Sequence, residues 1–146
     1  MERDPSAASM TYLLDTHTLW HHASGGDELS PQAAARINEA AVTDLCVLDI
    51  SLYELARHMA MGRIEVEDPL ETLTVIEDNY PILRSNAAIA WKSASMDWPK
   101  QNGKGQHLDP ADRAIFAAAL LFQLTVVSAD KEMHHHGPAA GVSLLW

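Results

Sequence analysis

The sequence predicts an α/β fold, a three-layer sandwich with a mainly parallel central sheet of four to five strands flanked by helices. Three observations support this class. Strand-like apolar runs alternate with helix-like runs along the chain, and that alternation is typical of parallel sheets. The sequence contains no internal repeat and no low-complexity block. Its 146 residues suit one domain, which buries roughly two-thirds of its unfolded surface.

Strands are predicted where short apolar runs stand between polar segments. In chain order these runs are residues 11–15, 45–50, 80–83 and 125–128, and residues 142–145 could add a fifth strand at the sheet edge. The single Cys46 lies in the second run, and we interpret it as a small buried hydrophobe. With no partner thiol it cannot form an internal disulfide, which is consistent with a reducing cytosol.

The first three helices are predicted from capping residues and from apolar positions at a spacing of three or four. A short helix follows the first strand and ends near residues 24–26. Ser30 and Pro31 begin the second helix as N-cap and first-turn proline. We expect Ser51 to cap the third helix, which ends with Gly62 at the C′ position.

Three more helices are predicted in the second half of the chain. Residues 68–71 place an N-cap, a proline and an acid in a capping-box arrangement before a fourth helix. A fifth helix is predicted over residues 86–96. Its inward side is expected to comprise Ala87, Ala90, Trp91 and Ala94. Asp109 and Pro110 begin the sixth, which covers residues 111–123.

Three segments show no helix or strand periodicity. Residues 1–9 are expected to form a flexible N-terminal extension to a single domain over residues 10–146. Residues 97–108 contain a proline, two glycines and two lysines, so we predict a mobile loop. The consecutive histidines at 134–136 precede Gly-Pro, and we interpret them as an exposed run because neighbouring loop side chains rarely form a closed zinc site.

Composition limits the classes of function. Ten Lys and Arg against twenty Asp and Glu give 10 − 20 = −10, which argues against salt-driven, non-specific binding of polyanions and suits a basic partner. Acids gathered around a metal ion are partly neutralised, so the net charge overstates the field that a substrate meets. No run of about 18 apolar residues and no apolar signal core is present, so we expect a cytoplasmic protein without membrane insertion.

Four carboxylates stand where the predicted sheet would bring them together: Asp15, Glu54, Asp112 and Asp130. Each lies at the end of a strand or in the first turn of a helix. Because open α/β folds bind ligands at the carboxyl edge of a parallel sheet, we expect these side chains to line one crevice. Carboxylates are hard oxygen ligands for Mg²⁺ or Mn²⁺, and one or two such ions can activate water for phosphodiester hydrolysis.

Each acid also has a purely structural interpretation. Asp15 could simply cap the first helix, and Asp130 could be a turn residue. Glu54 stands three residues after Ser51, as in a capping box. Asp109 is interpreted as an N-cap and is left outside the metal site. The metal hypothesis therefore depends on the joint occurrence of the four acids rather than on any one of them.

Nearby polar residues are weaker predictions. Thr16, Ser51 and Ser128 flank the acids and could hold a metal-bound water through their hydroxyl groups, although local capping explains them equally well. Arg113 follows Asp112 and could reach a phosphate or orient a carboxylate.

A group of histidines flanks the first helix. Any one of His17, His21 and His22 could contact a substrate, but partial burial is the simpler interpretation. No Cys or H-E-x-x-H pattern in the sequence supports zinc.

Three segments carry a family resemblance. YLLDTHTLWHH, ISLYELARHMAMGRIEV and HLDPADRAIFAAALLFQLTVVSADKEM resemble, in that order, the conserved-acid blocks of PIN-domain ribonucleases, and more narrowly those of the toxins of VapBC-type toxin–antitoxin pairs. The resemblance implies that the four acids hold one or two Mg²⁺ or Mn²⁺ ions and that the substrate is RNA. It also implies a homodimer that an antitoxin peptide neutralises.

Two other classes remain as alternatives. A non-catalytic PIN-like protein-interaction module would keep the fold and a metal-binding acidic cleft, and it would bind a protein or metal without cleaving RNA. A phosphoaspartate-forming phosphatase or a receiver domain is the third hypothesis. It fits less well because the phosphatase needs a second aspartate two residues after the nucleophile, where this chain has His17, and the paired acids that a receiver domain needs near the first strand are absent.

Overall fold

Seven short strands are present in the computed structural model, which describes residues 11–26, 28–97, 100, 101, 104–106 and 109–146. They are β1 (Tyr12–Leu14), β2 (Leu45–Leu48), β3 (Ile82–Leu83), β4 (Lys100–Gln101), β5 (Lys104–Gln106), β6 (Thr125–Val127) and β7 (Leu144–Leu145). Five of them form a parallel sheet in the order β3-β2-β1-β6-β7, as predicted. The predicted extension at residues 1–9 lies outside the described residues.

The central strand of the sheet is β1. Leu13 lies opposite Cys46 on β2 and opposite Val126 on β6. The chain therefore turns to one side of β1 in its first half and to the other side in its second half. Such a reversal of strand order opens a crevice at the carboxyl ends of the two strands, where open α/β folds bind ligands.

Seven α-helices flank the sheet in the described part of the chain. They are α1 (Thr16–Ala23), α2 (Pro31–Glu39), α3 (Ile50–Ala60), α4 (Pro69–Asn79), α5 (Ala87–Ser95), α6 (Pro110–Phe122) and α7 (Lys131–Ala140). Most begin at a side chain that accepts a backbone N–H of the first turn, which satisfies a donor that the helix itself leaves unpaired. These caps are Asp15, Ser30, Asp68, Asn86, Asp109 and Asp130.

The longest of these helices, α6, has 13 residues. Among the described residues, no helix combines the length and the apolar character that crossing a membrane requires.

Alternate strand residues face two separate cores. Leu13, Cys46 and Val126 pack with side chains of α5, α6 and α7, whereas Leu14 and Val47 pack with side chains of α1 to α4. All five are fully buried. The helices thus cover both faces of the sheet, which confirms the three-layer prediction. Burial also raises the pKa of the Cys46 thiol to about 12, in agreement with its interpretation as a buried hydrophobe.

The predicted inward face of α5 was wrong. Trp91 is 73% exposed, and the alanines at 87, 90 and 94 are exposed as well. The buried residue is Ile89, the branched aliphatic side chain of this helix. The alanine and tryptophan positions have helical spacing, but another side of the helix, which carries Ile89, packs into the core next to α6.

The start of α3 also differs from the prediction. The helix begins at Ile50, so Ser51 lies inside it and is fully buried rather than serving as the cap. The N-cap residue is Asp49, which makes no capping bond. Its carboxylate instead accepts the backbone N–H of Ser85 at 3.0 Å and the Ser85 hydroxyl at 2.5 Å. This contact joins the end of β2 to the segment after β3.

Two segments predicted to be irregular have regular structure. β4 and β5 pair as a short antiparallel ribbon within the predicted loop at 97–108. The histidine run lies in α7, where His136 is only 7% exposed and His135 is exposed. Gly137 does not end the helix; it allows close packing, because a Cβ there would collide with the Leu144 side chain.

Candidate functional site

A cavity of about 410 Å³ opens at the carboxyl edge of the sheet. We call it the acid cavity. Its lining residues are Asp15, Thr16, His17, His21, Glu54, Asp109, Asp112, Ala129 and Asp130. The structure therefore brings together all four of the acids that the sequence singled out, from β1, α3, α6 and the end of β6. Asp109, which was interpreted as a cap, lines the same cavity.

Asp15 is held by two hydrogen bonds and is only 7% exposed. Its Oδ1 accepts the backbone N–H of Thr18 at 2.8 Å, which caps α1. Its Oδ2 accepts the hydroxyl of the buried Ser128 at 2.5 Å. Capping and a position in the cavity thus occur together, and the carboxylate orientation is fixed by both.

Ser128 connects the acids that follow β1 and β6. Its hydroxyl donates to Asp15 and accepts the backbone N–H of Asp130 at 3.0 Å. Asp130 in turn accepts the N–H groups of Glu132 at 2.8 Å and Met133 at 3.4 Å, so it is the N-cap of α7 rather than a turn residue. One buried hydroxyl therefore binds the Asp15 carboxylate and the Asp130 backbone, and it links the acids that follow two different strands.

Glu54 is held by a hydroxyl pair rather than by a capping box. Thr16 Oγ1 lies 2.5 Å from Glu54 Oε1 and 3.0 Å from Ser51 Oγ. A hydroxyl has one proton to donate, and a carboxylate is the stronger acceptor. Thr16 accordingly donates to Glu54 and accepts from Ser51. The capping-box interpretation of Glu54 was wrong because α3 starts two residues earlier than expected, with Asp49 rather than Ser51 at the N-cap.

Asp112 shows the electrostatic consequence of crowding these acids. Its backbone N–H donates to Asp109 Oδ1 at 2.8 Å in the first turn of α6. Burial is the largest cause that raises the pKa of its carboxyl group, to about 8, and the remaining causes are the charges of Asp109, Asp130, Glu54 and Asp15. Asp112 is therefore mostly protonated at neutral pH unless a cation compensates the cavity.

The donor chemistry of the cavity fits a hard divalent cation, since carboxylate oxygens are the ligands that Mg²⁺ and Mn²⁺ prefer. The arrangement is not preassembled. Within the described ranges, no three Asp, Glu, His or Cys side chains stand close enough to share one ion. The carboxylates retain unused lone pairs, and binding of one ion by three of them would require these side chains to move closer together.

Two histidines line the cavity, although partial burial was the simpler interpretation of both from the sequence. His17 is exposed, and His21 is half-buried with its Nδ1 3.3 Å from Glu28 Oε2. Their spacing of four places them on the same side of α1, and this spacing was the signal that could have assigned them to the site. Arg113 is half-buried and is not one of the described residues that line the cavity, so its proposed contact with phosphate stays a prediction.

Solved structures with the same fold come from several bacteria. FitAcB from Neisseria gonorrhoeae is 20% identical over 93% of this chain and 97% of that chain, with a TM-score of 0.65. VapBC2 from Rickettsia felis, bound to a DNA fragment from its promoter, is 17% identical over 94% and 99%, with a TM-score of 0.67. A toxin–antitoxin complex from Klebsiella pneumoniae is 18% identical over 93% and 97%, with a TM-score of 0.62.

No curated protein sequence matches the chain significantly. A family model does match, that of the PIN domain, and the match covers residues 12–137. This range includes every strand of the parallel sheet except β7 and all four predicted acids. Because the match spans most of the sequence, the chain belongs to the PIN-domain family.

Proposed function

We propose that the protein is a metal-dependent endoribonuclease and the toxin component of a type II toxin–antitoxin pair. PIN domains are generally nucleases. The observation that carries the proposal is the convergence of four sequence-distant acids on one cavity at the reversal of strand order. The fold likeness to the Klebsiella pneumoniae toxin–antitoxin complex supports the second part of the proposal.

The chain's own residues would hold and orient the reacting groups. Asp15, Glu54, Asp112 and Asp130 would bind one or two Mg²⁺ or Mn²⁺ ions, which supply an activated water and compensate the charge that develops on the phosphoryl oxygens. Ser128 fixes the orientation of the Asp15 carboxylate, the first-turn N–H groups of α7 fix that of Asp130, and Thr16 orients Glu54. Asp112 would lose its proton on becoming a ligand, because its pKa is raised to about 8 without one.

A basic partner fits the charge of the protein. The net charge of −10 would attract an antitoxin with cationic segments and would speed their association. We also propose a cytoplasmic homodimer, in line with the family resemblance. The exposed face of α5 around Trp91 provides an apolar surface that a second copy could cover.

The test is cleavage of single-stranded RNA by the wild type and by Asp15→Asn in Mg²⁺, Mn²⁺ or EDTA. Loss of one group that stabilises developing charge typically lowers kcat by about 10² to 10³, and we expect a reduction of that size. Asp49→Asn is the matched control, because Asp49 also ends a strand but binds Ser85 and does not line the cavity. Equal rates for all three proteins, or cleavage that persists in EDTA, would contradict the proposal.

The second candidate function is a non-catalytic PIN-like interaction module. Two observations favour it: the net charge of −10 and, in the described part of the chain, the lack of three preassembled metal ligands. This candidate predicts metal-independent partner binding and no RNA cleavage under any of the conditions above. The same set of measurements therefore decides between the two functions.

A further inference from the structure

A second, smaller cavity adjoins the acid cavity. It has a volume of about 250 Å³, and we call it the basic groove. Its lining residues are Thr16, His17, Trp20, His21, Leu55, His58, Arg63 and Ile64. Three of these, Thr16, His17 and His21, also line the acid cavity. A chain-like ligand could therefore extend from one cavity directly into the other.

The two cavities have opposite chemistry. Five carboxylates and no Lys or Arg are found among the described residues that line the acid cavity. The described lining of the basic groove contains no carboxylate, and to the two shared histidines it adds His58 and Arg63. The rings of His17 and His58 lie with their centroids 5.9 Å apart at 37°. A ligand that spans both cavities thus needs a cation-bound part and an anionic part.

The backbone holds Arg63 at the edge of the groove. Gly62 has a φ of +75° at the end of α3, which favours glycine. The Arg63 N–H donates to His58 O at 2.9 Å and the Gly62 N–H donates to Met59 O at 3.1 Å. These two bonds form a Schellman motif. The regular termination of α3 consequently fixes the backbone from which the exposed Arg63 side chain extends.

Arg63 is a cationic side chain next to the acid cavity of a negatively charged protein. With a net charge of −10, a polyanion gains little from long-range attraction and needs local cationic contacts. A guanidinium binds phosphate through paired N–H donors. Imidazole N–H groups donate to phosphate without needing a positive charge, and the half-buried Trp20 offers a face on which a base can stack.

We propose that the basic groove binds the phosphate adjacent to the scissile one on a single-stranded RNA, with Arg63 as the principal ligand and His58 as a second donor. The inference rests on the proposed nuclease function and assigns its substrate path. The strand would pass from the acid cavity over His17 and His21 into the groove, and its direction of approach to the acids would be fixed there.

The experiment compares Arg63→Gln, Arg63→Lys and the control Arg36→Gln. Arg36 is exposed on α2 and lines neither cavity. Steady-state cleavage in Mn²⁺ gives KM and kcat. Fluorescence anisotropy of a labelled single-stranded RNA gives Kd in the Asp15→Asn background, where cleavage is slow. Both are measured across a series of salt concentrations.

We expect Arg63→Gln to raise Kd and KM about tenfold with little change in kcat, because a contact made equally in the ground and transition states affects binding alone. The slope of log K against log salt should fall by about 0.7, the value for one phosphate contact on a single strand. Arg63→Lys should keep most of the slope but lose affinity, since lysine cannot make the paired contact. Arg36→Gln should behave as the parent protein.

Four results would overturn the inference. The first is equal behaviour of Arg63→Gln and Arg36→Gln while the wild type cleaves RNA, which leaves the nuclease proposal intact. The second is a change in Tm without a change in KM or salt slope, which would make Arg63 a helix-terminus residue only. The third is weaker antitoxin binding with unchanged RNA affinity, which would assign the groove to a protein partner. The fourth is no RNA binding or cleavage by the wild type, which would remove both proposals.

Discussion

The acid cavity differs sharply from a larger cavity that α1 also helps to line. The larger cavity has a volume of about 570 Å³, and we call it the apolar cavity. Its lining residues are Trp20, His22, Ala23, Ser24, Val66, Glu71, Thr72, Val75, Ile76, Asn79 and Tyr80. It is mainly apolar and includes a single carboxylate. Volume alone would select it as the functional site, but its chemistry does not.

Burial acts differently in the two places. In the apolar cavity, burial lowers the pKa of His22 and raises the pKa of Tyr80 to about 12, so both groups are neutral at neutral pH. The two groups satisfy each other through a hydrogen bond of 2.5 Å between the Tyr80 hydroxyl and His22 Nδ1. In the acid cavity, burial adds to the repulsion of four carboxylates at Asp112. The candidate site is therefore identified by the uncompensated charge of its carboxylates and not by the volume of its cavity.

The largest effect that separates the two cavities should be stabilisation by divalent metal. A ligand at 100 times its Kd stabilises the native state by about 2.7 kcal/mol. We therefore expect saturating Mn²⁺ to raise the Tm of the wild type by several degrees and EDTA to reverse the rise. Asp49→Asn should retain this response and Asp15→Asn should lose most of it. If the Tm of the wild type does not change with Mn²⁺, the acid cavity does not bind the ion and does not differ from the apolar cavity in this respect.

A second, smaller effect concerns pH. The pKa of Asp112 is about 8 in the folded protein and about 3.9 in an unfolded chain. The folded state thus holds this proton more tightly, and its contribution to stability is complete below about pH 4 and is lost as the pH rises through about 8. Asp112→Asn stays neutral at every pH. In EDTA its Tm should match the wild type near pH 4 and exceed it at pH 8. If the Tm values of the wild type and Asp112→Asn change in parallel with pH, ionisation of Asp112 does not lower the stability of the folded protein.

In the apolar cavity, the corresponding change should act on stability alone. Tyr80→Phe removes the hydrogen bond to His22, and we expect a loss of about 1 kcal/mol in the free energy of unfolding, measured by urea denaturation. The rise in Tm with Mn²⁺ should be unchanged. A reduced metal response in this variant would show instead that the two cavities are coupled through α1.

The smallest predicted effect lies outside both cavities. Gln123 ends α6 with a φ of 55°, a left-handed conformation that glycine adopts more easily. Gln123→Gly should raise the free energy of unfolding by about 0.5 kcal/mol, with no change in the responses to metal or pH. This variant gives the size of the Tm change that a purely structural substitution causes, for comparison with the effects of metal and pH. A loss of stability would show that the Gln123 side chain contributes more than its backbone strain removes.

The sequence predicted the parallel sheet and the clustering of acids because both depend on local signals. Apolar runs marked the strands, and residues such as Asp15 and Asp109 were recognisable at helix starts before their partners were known. The alternation of strands and helices predicted that helices cover both faces of the sheet, because a parallel sheet must bury both of its faces.

Other features depended on tertiary contacts that no local pattern contains. Trp91 has the spacing of a core residue but faces outward, because Ile89 is the residue of α5 that packs into the core. Gly137 and Pro138 resemble a helix stop but lie inside α7. The Thr16 contact with Glu54 and the Ser128 contact with Asp15 join residues 38 and 113 positions apart. Only the folded chain could show them.

Direct measurement of Mn²⁺ binding tests the central claim that the crowded carboxylates hold a hard dication. Isothermal titration calorimetry at pH 7 in buffers of different ionisation enthalpy gives both stoichiometry and proton release. We predict one or two ions per chain and release of about one proton, because Asp112 has a pKa of about 8 before binding and must lose its proton as a ligand. Asp112→Asn should abolish the proton release. The absence of saturable Mn²⁺ binding by the wild type would contradict the account.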